Sequence, residues 1–176
     1  MSVLNDICGP SGSGKSTLFP SASRCRYVYF PIGFFYLIFK PRLFFIVIRA
    51  SCYSDSSFVR KLAALMHSVM KFSLLVLPFS RRSFDEGVAQ IPFILMFNSS
   101  DLEIFVINMQ PYFARCNIVF VYASPDVRIE RLFLRGHKKA NSYEDYETLV
   151  SRYEEIFSCY IRLLDRYNLP YRVVKN

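Results

Sequence analysis

From Phe58 onward the apolar positions Phe58, Leu62, Leu65, Met66 and Val69 recur at spacings of three and four, with Arg60, Lys61, Ser68 and Lys71 falling between them. That period predicts an amphipathic helix with a basic outer face, capped from Asp55, Ser56 or Ser57. Ser2 to Cys8 reads instead as a short strand, and a helix is expected to open near Lys15 and to end by Pro20 or soon after. Asn117 to Ala123 is an almost unbroken β-branched and aromatic run, which predicts a strand buried on both faces. Ser124 and Pro125 then offer an N-cap and a first-turn proline to a helix running to about Leu134, where Gly136 stops it. A long helix follows, opened by a capping box at Asn141 or Ser142 with Glu144 or Asp145 three residues on. Its apolar stripe is Tyr146, Leu149, Val150, Tyr153, Ile156, Phe157, Tyr160 and Leu164. Tyr171 to Val174 makes a last short strand. Strands alternating with helices predict an α/β fold, with a mostly parallel sheet and helices on both faces.

The chain has 176 residues and no repeat or Gly/Ser linker, which predicts one domain over residues 1–176. Its longest apolar run, Tyr27 to Phe39, is broken by Lys40, Pro41 and Arg42 before Leu43 to Ile48 resumes. A spanning helix needs about 20 apolar residues, and Pro31 and Gly33 stand inside the first piece. Residues 27–80 are expected to form an aromatic, basic helical insert or substrate-side region, with the apolar segment 27–48 buried within the fold; peripheral contact of that segment with a membrane is the alternative. The first residues lack the cationic and apolar regions of a secretory signal, so a cytoplasmic protein is expected. Five widely spaced cysteines without a C-x-x-C pair, and two isolated histidines, predict neither a disulfide framework nor a zinc site.

Charge divides the chain unevenly. The net +8 is the sum of +9 over residues 1–83, where eleven Lys and Arg meet only Asp6 and Asp55, and −1 over residues 84–176, where eleven meet twelve acids. A basic half attracts phosphates, acidic substrates, nucleic acid or anionic lipid. Nucleic acid ranks last among these, because the Phe and Tyr residues form apolar blocks instead of interleaving with the cations.

The candidate chemistry is concentrated in Gly9-Pro10-Ser11-Gly12-Ser13-Gly14-Lys15-Ser16-Thr17, which contains the Walker A pattern G-x-x-x-x-G-K-S between an expected strand and an expected helix. Gly9, Gly12 and Gly14 let the backbone amides close around a polyphosphate at the positive end of that helix, while Pro10, Ser11 and Ser13 complete the loop. Lys15 would reach the β- and γ-phosphates of ATP, Ser16 would offer a hydroxyl to Mg²⁺, and Thr17 adds a second hydroxyl. Mg²⁺ also wants an acid at a neighbouring strand end. Asp85, in Phe84-Asp85-Glu86-Gly87, is the natural choice, as metal partner and as acceptor of a substrate proton, with Glu86 to assist. A surface turn after Ser80-Arg81-Arg82-Ser83 is the competing reading of these acids. The Gly-rich signature of transporter ATPases and the N-K-x-D motif of switch GTPases are both missing from the chain.

Together with the Val-Phe-Val-Tyr-Ala-Ser-Pro-Asp corner and Arg131 and Arg135, these motifs make the chain resemble P-loop kinases of the thymidylate-kinase-like group. More narrowly, it is similar to P-loop proteins of that group associated with polysaccharide synthesis. The resemblance implies a P-loop NTPase fold of the nucleotide-kinase type in which ATP donates a phosphoryl group to a small molecule. It also implies a lid over residues 125–142 that carries Arg131 and Arg135 as catalytic cations. At Asp85 the chain reads Asp-Glu-Gly, where the Asp-Arg-Tyr/His motif of thymidylate kinases is not evident, and the lid ends in His137-Lys138-Lys139. Pairing of the two arginines with Glu130 or Asp126 on the surface is the competing reading. For the whole chain the alternative to a kinase is a P-loop NTPase acting as a regulatory or assembly factor, without a small-molecule acceptor.

Overall fold

The computed structural model describes residues 4–20, 30–52, 58–75, 83–136 and 142–176. The run at Cys116–Tyr122 forms strand β3, in which every side chain but Asn117 and Tyr122 is buried. Leu4–Cys8 (β1) pairs with it on one side and with the short Ser83–Asp85 (β2) on the other, and Tyr171–Lys175 (β4) pairs with the far edge of β3. The order is β2-β1-β3-β4, and every pairing is parallel.

Alternation along the strands sends side chains to two environments. Cys8, Phe84, Ile118 and Phe120 enter the main core with the helices Ile91–Leu95 (α5), Ser99–Phe113 (α6) and Tyr143–Arg166 (α8). There the Phe120 ring meets Phe93, Phe157 and Tyr160 edge-on. Ile7, Val119 and Val121 point the other way, where Phe19 and Val174 pack on them. Burial on both faces is what a parallel sheet requires.

The topology fixes where a ligand can sit. From β1 the chain moves outward to β2, then crosses back over β1 to reach β3 and continues outward to β4. The direction of winding reverses between β1 and β3. In open parallel sheets, ligand crevices lie beyond the carboxyl ends of the strands at such a reversal.

Residues 30–72 supply three helices, Phe30–Ile38 (α2), Pro41–Cys52 (α3) and Phe58–Phe72 (α4). Gly33 lets α2 approach α4, since a Cβ there would stand 2.0 Å from the Val69 carbonyl oxygen. Two expectations fail here. The aromatic run is not buried throughout: Gly33 and Leu37 face inward, but Phe34, Phe35, Ile38 and Phe39 are exposed, because only one face of this short helix meets the protein. Nor is the outer face of α4 as expected. Ser68 and Lys71 are buried while Phe58 and Leu62 are exposed, because α4 enters the core by its carboxyl end. There the Lys71 ammonium donates to the Glu86 carbonyl. The caps sought at Asp55 to Ser57, and Tyr27 to Tyr29, lie outside the described residues.

The carboxyl half follows the sequence closely. Pro125–Arg135 (α7) opens after Ser124, whose hydroxyl makes no cap bond, and ends at Gly136 with φ 63°. Ser142 and Asp145 form both halves of a capping box that opens α8.

Candidate functional site

β1 ends at Cys8, and the chain then turns through Gly9 to Gly14 into a single helical turn, Lys15–Leu18 (α1). Gly9, Gly12 and Gly14 have φ of 143°, 82° and 86°, values that side-chain-bearing residues avoid. At Gly9 a Cβ would also meet the Val121 carbonyl oxygen at 2.4 Å, so only glycine lets the loop lie against the end of β3.

Five consecutive loop carbonyls are taken up by donors. Lys15 Nζ donates to Gly9 O at 2.9 Å and to Pro10 O at 3.4 Å. Arg128 Nε reaches Ser11 O and Arg131 Nη1 reaches Gly12 O, each at 3.3 Å, and Asn176 Nδ2 reaches Ser13 O at 2.9 Å. Within the loop, Ser13 N donates to Pro10 O at 3.3 Å. The first amide is fixed separately: Gly9 N donates to Gln90 Oε1 at 2.9 Å.

The helix after the loop is shorter than the sequence-based dipole argument needs. Phe19 precedes Pro20 and leaves the helical region at φ −128°, ψ 61°, so α1 ends after four residues. One turn gives little macrodipole, and attraction for an anion rests on the loop amides and the cations around them. Ser16 and Thr17 are exposed on that turn.

Asp85 closes β2 in register with Ile7 of β1, and the next amide, Glu86 N, donates to Ile7 O at 2.9 Å. It is therefore a buried residue at a strand end, not a surface turn. Burial draws the Lys15 ammonium below its usual range, and the Glu86 and Asp85 carboxylates oppose that shift. The two acids and the lysine thus share one electrostatic environment at the carboxyl edge of the sheet. Mg²⁺ bound with a nucleotide takes one or two protein oxygens, with water and phosphate completing its shell. Ser16 is exposed on the turn after the loop, whereas Asp85 is buried at the end of β2. Among the described residues no three acids, cysteines or histidines converge into a closed cage.

Of the two arginines expected over the phosphates, the structure brings only Arg131 onto the loop. Arg135, one turn further along α7, is exposed and makes no bond to the loop among the described residues. His137, Lys138 and Lys139 lie outside the described residues. The cation the sequence reading missed is Arg128. It is fully buried, pairs with Glu154, and lies over the Tyr153 ring with its guanidinium carbon 5.7 Å from the centroid. Tyr153 in turn shares a 3.2 Å hydrogen bond with Ser11 Oγ. A signal existed, because Arg128 shares a helical face with the buried Ile129 and Leu132.

Asp6 was also missed as a structural centre. Its Oδ2 accepts from Ala89 N at 2.9 Å and from the Tyr112 hydroxyl at 3.1 Å, beneath the corner that carries Gln90. Gly87 permits this, since a Cβ there would stand 2.4 Å from Asp6 Oδ1. Burial pushes the Asp6 carboxyl up to about 6, against the opposing effects of the Ala89 amide, Lys71 and the Tyr112 hydroxyl. In the unfolded chain it would titrate near ~3.9, so between roughly pH 4 and 6 the native state holds the extra proton. Its contribution to stability is then complete below about pH 4 and lost as pH rises through 6, a change of ~3 kcal/mol for about two units. Asp6→Asn is expected to flatten that part of the stability profile. Urea unfolding at pH 4 and 7 checks this, and parallel profiles for variant and parent contradict it.

Compared with known proteins, the chain matches no protein-family model and no curated protein.

Proposed function

We propose that this chain binds Mg·ATP on the loop Gly9 to Thr17 and transfers the γ-phosphoryl group to a small-molecule acceptor. The observation that carries this reading is the loop itself. Its carbonyls are held by Lys15, Arg128, Arg131 and Asn176, and it sits where the winding of a parallel sheet reverses.

In this reading the loop amides hold the phosphates, and Lys15 and Arg131 neutralise charge on the transferring group. Asp85 accepts the proton of the acceptor hydroxyl. The freed oxygen forms a bond to the γ-phosphorus as the bond to the β,γ-bridging oxygen breaks, and ADP leaves with that electron pair. Ser16 and Asp85 are the residues that would hold Mg²⁺, which would supply further charge neutralisation. Electrostatic stabilisation of this kind is the main work of phosphoryl-transfer proteins.

The test is ATP labelled at the γ-position, offered with panels of nucleosides, nucleotides and sugars. Label is expected on one acceptor class. Binding of Mg·ATP with label released only as free phosphate, under every acceptor, overturns the kinase reading in favour of a nucleotide hydrolase.

A further inference from the structure

We propose that the elbow between α2 and α3 is a docking surface for an anionic lipid bilayer. No single described helix is long and apolar enough to cross a membrane, and α2 and α3, which together would suffice in length and composition, bend by 118°. Their inner faces are also committed: Leu37, Leu43, Ile46 and Val47 are buried in the main core. The pair cannot leave the protein to span a bilayer, so it presents only its outer side.

That outer side is unusual for a water-facing surface. Phe35, Phe39 and Phe45 are 62%, 79% and 69% exposed, and Phe34 and Ile38 join them. Phe34 meets Phe44 edge-on at 6.2 Å and Phe44 meets Phe45 at 6.2 Å, so ring contacts join α2 to α3 across the elbow. Clustered exposed aromatics of this kind mark an interaction site.

Charge identifies the occupant. Lys40 and Arg42 are exposed at the bend itself, between Phe39 and Phe45. No acidic residue occurs between Asp6 and Asp55. Aromatic side chains flanked by cations match the boundary of an anionic bilayer: rings enter the acyl edge while the ammonium and guanidinium stay at the headgroups. A protein partner would not require a segment of this length without acids. The inference is independent of the phosphate-loop reading, since none of these residues belongs to the loop.

The experiment is flotation of the full chain with phosphatidylcholine vesicles, with and without phosphatidylglycerol, at low and high salt. Expected is flotation only with the anionic vesicles, reversed by salt. Phe35→Ser with Phe39→Ser should cut partitioning roughly a hundredfold. Lys40→Gln with Arg42→Gln should cut it roughly fivefold for each lost cation. All four positions are exposed, so circular dichroism and the melting temperature should match those of the parent. Failure to float with anionic vesicles at low salt overturns the proposal. So does flotation unaffected by both variants. A stable dimer in light scattering that the Phe35→Ser and Phe39→Ser changes dissociate also overturns it, because the patch would then belong to a second copy.

Discussion

Replacing Lys15 with Ala is expected to weaken Mg·ATP binding by roughly 10- to 100-fold and to lower phosphoryl transfer further. The ammonium lies 2.9 Å from Gly9 O, folded over the rim of the loop, so it can reach a polyphosphate by exchanging a carbonyl for an anionic oxygen. Hydrogen bonds to charged groups contribute ~1.5–3 kcal/mol, and 1.4 kcal/mol is tenfold in affinity. The additional loss in turnover reflects charge that grows on the transferring group, which a preorganised cation stabilises most in the transition state. Calorimetry of parent and variant with Mg·ATP measures the first effect. Equal binding by both, or binding by neither, contradicts the phosphate-loop reading.

The second large effect is expected at Asp85. Asp85→Asn keeps side-chain size and hydrogen-bonding capacity but removes charge and basicity, so turnover should fall by ~10²-fold or more, the lower end of general-base contributions. Thermal stability should change little, because the position closes β2 at the rim of the sheet and its register with Ile7 depends on the backbone. Initial rates with a saturating acceptor, together with melting curves, separate the two roles. Full activity in the variant, or unfolding with activity retained in the folded fraction, makes Asp85 structural and turns attention to Glu86.

Much of the fold was legible because the carboxyl half is locally consistent. Asn117 to Ala123 could be read as a strand from composition alone, and Ser142 with Asp145 announced α8 before any packing was known. α6 was missed although Leu102, Phe105, Val106, Met109 and Phe113 carry the helical period and Asn98 caps it. The loop was legible for a different reason: its glycines are required by backbone angles, which are local. What surrounds the loop was not. Gln90, Arg128 and Asn176 bond the loop from 81, 117 and 163 positions away, Asp6 holds Ala89 across 83, and no period or motif encodes such separations. The aromatic run was misjudged because burial depends on which face finds a neighbour. Composition gives the amount of apolar surface but not its direction.

The place of β1 at the centre of the sheet has a kinetic consequence. Its neighbours are remote: Asn5 bonds Ser83 across 78 positions, and Asn117 bonds Asn5 across 112. Closing such loops costs entropy before the pairing repays it, and topologies rich in distant contacts fold slowly. On a chain made from its amino end, the loop Gly9 to Gly14 is synthesised before the residues that hold its carbonyls, and so acquires its shape after them. Its outer carbonyls wait for Arg128, Arg131 and finally Asn176. The shape of the loop would then arrive with the completed sheet, so a half-made chain would carry the motif without its geometry.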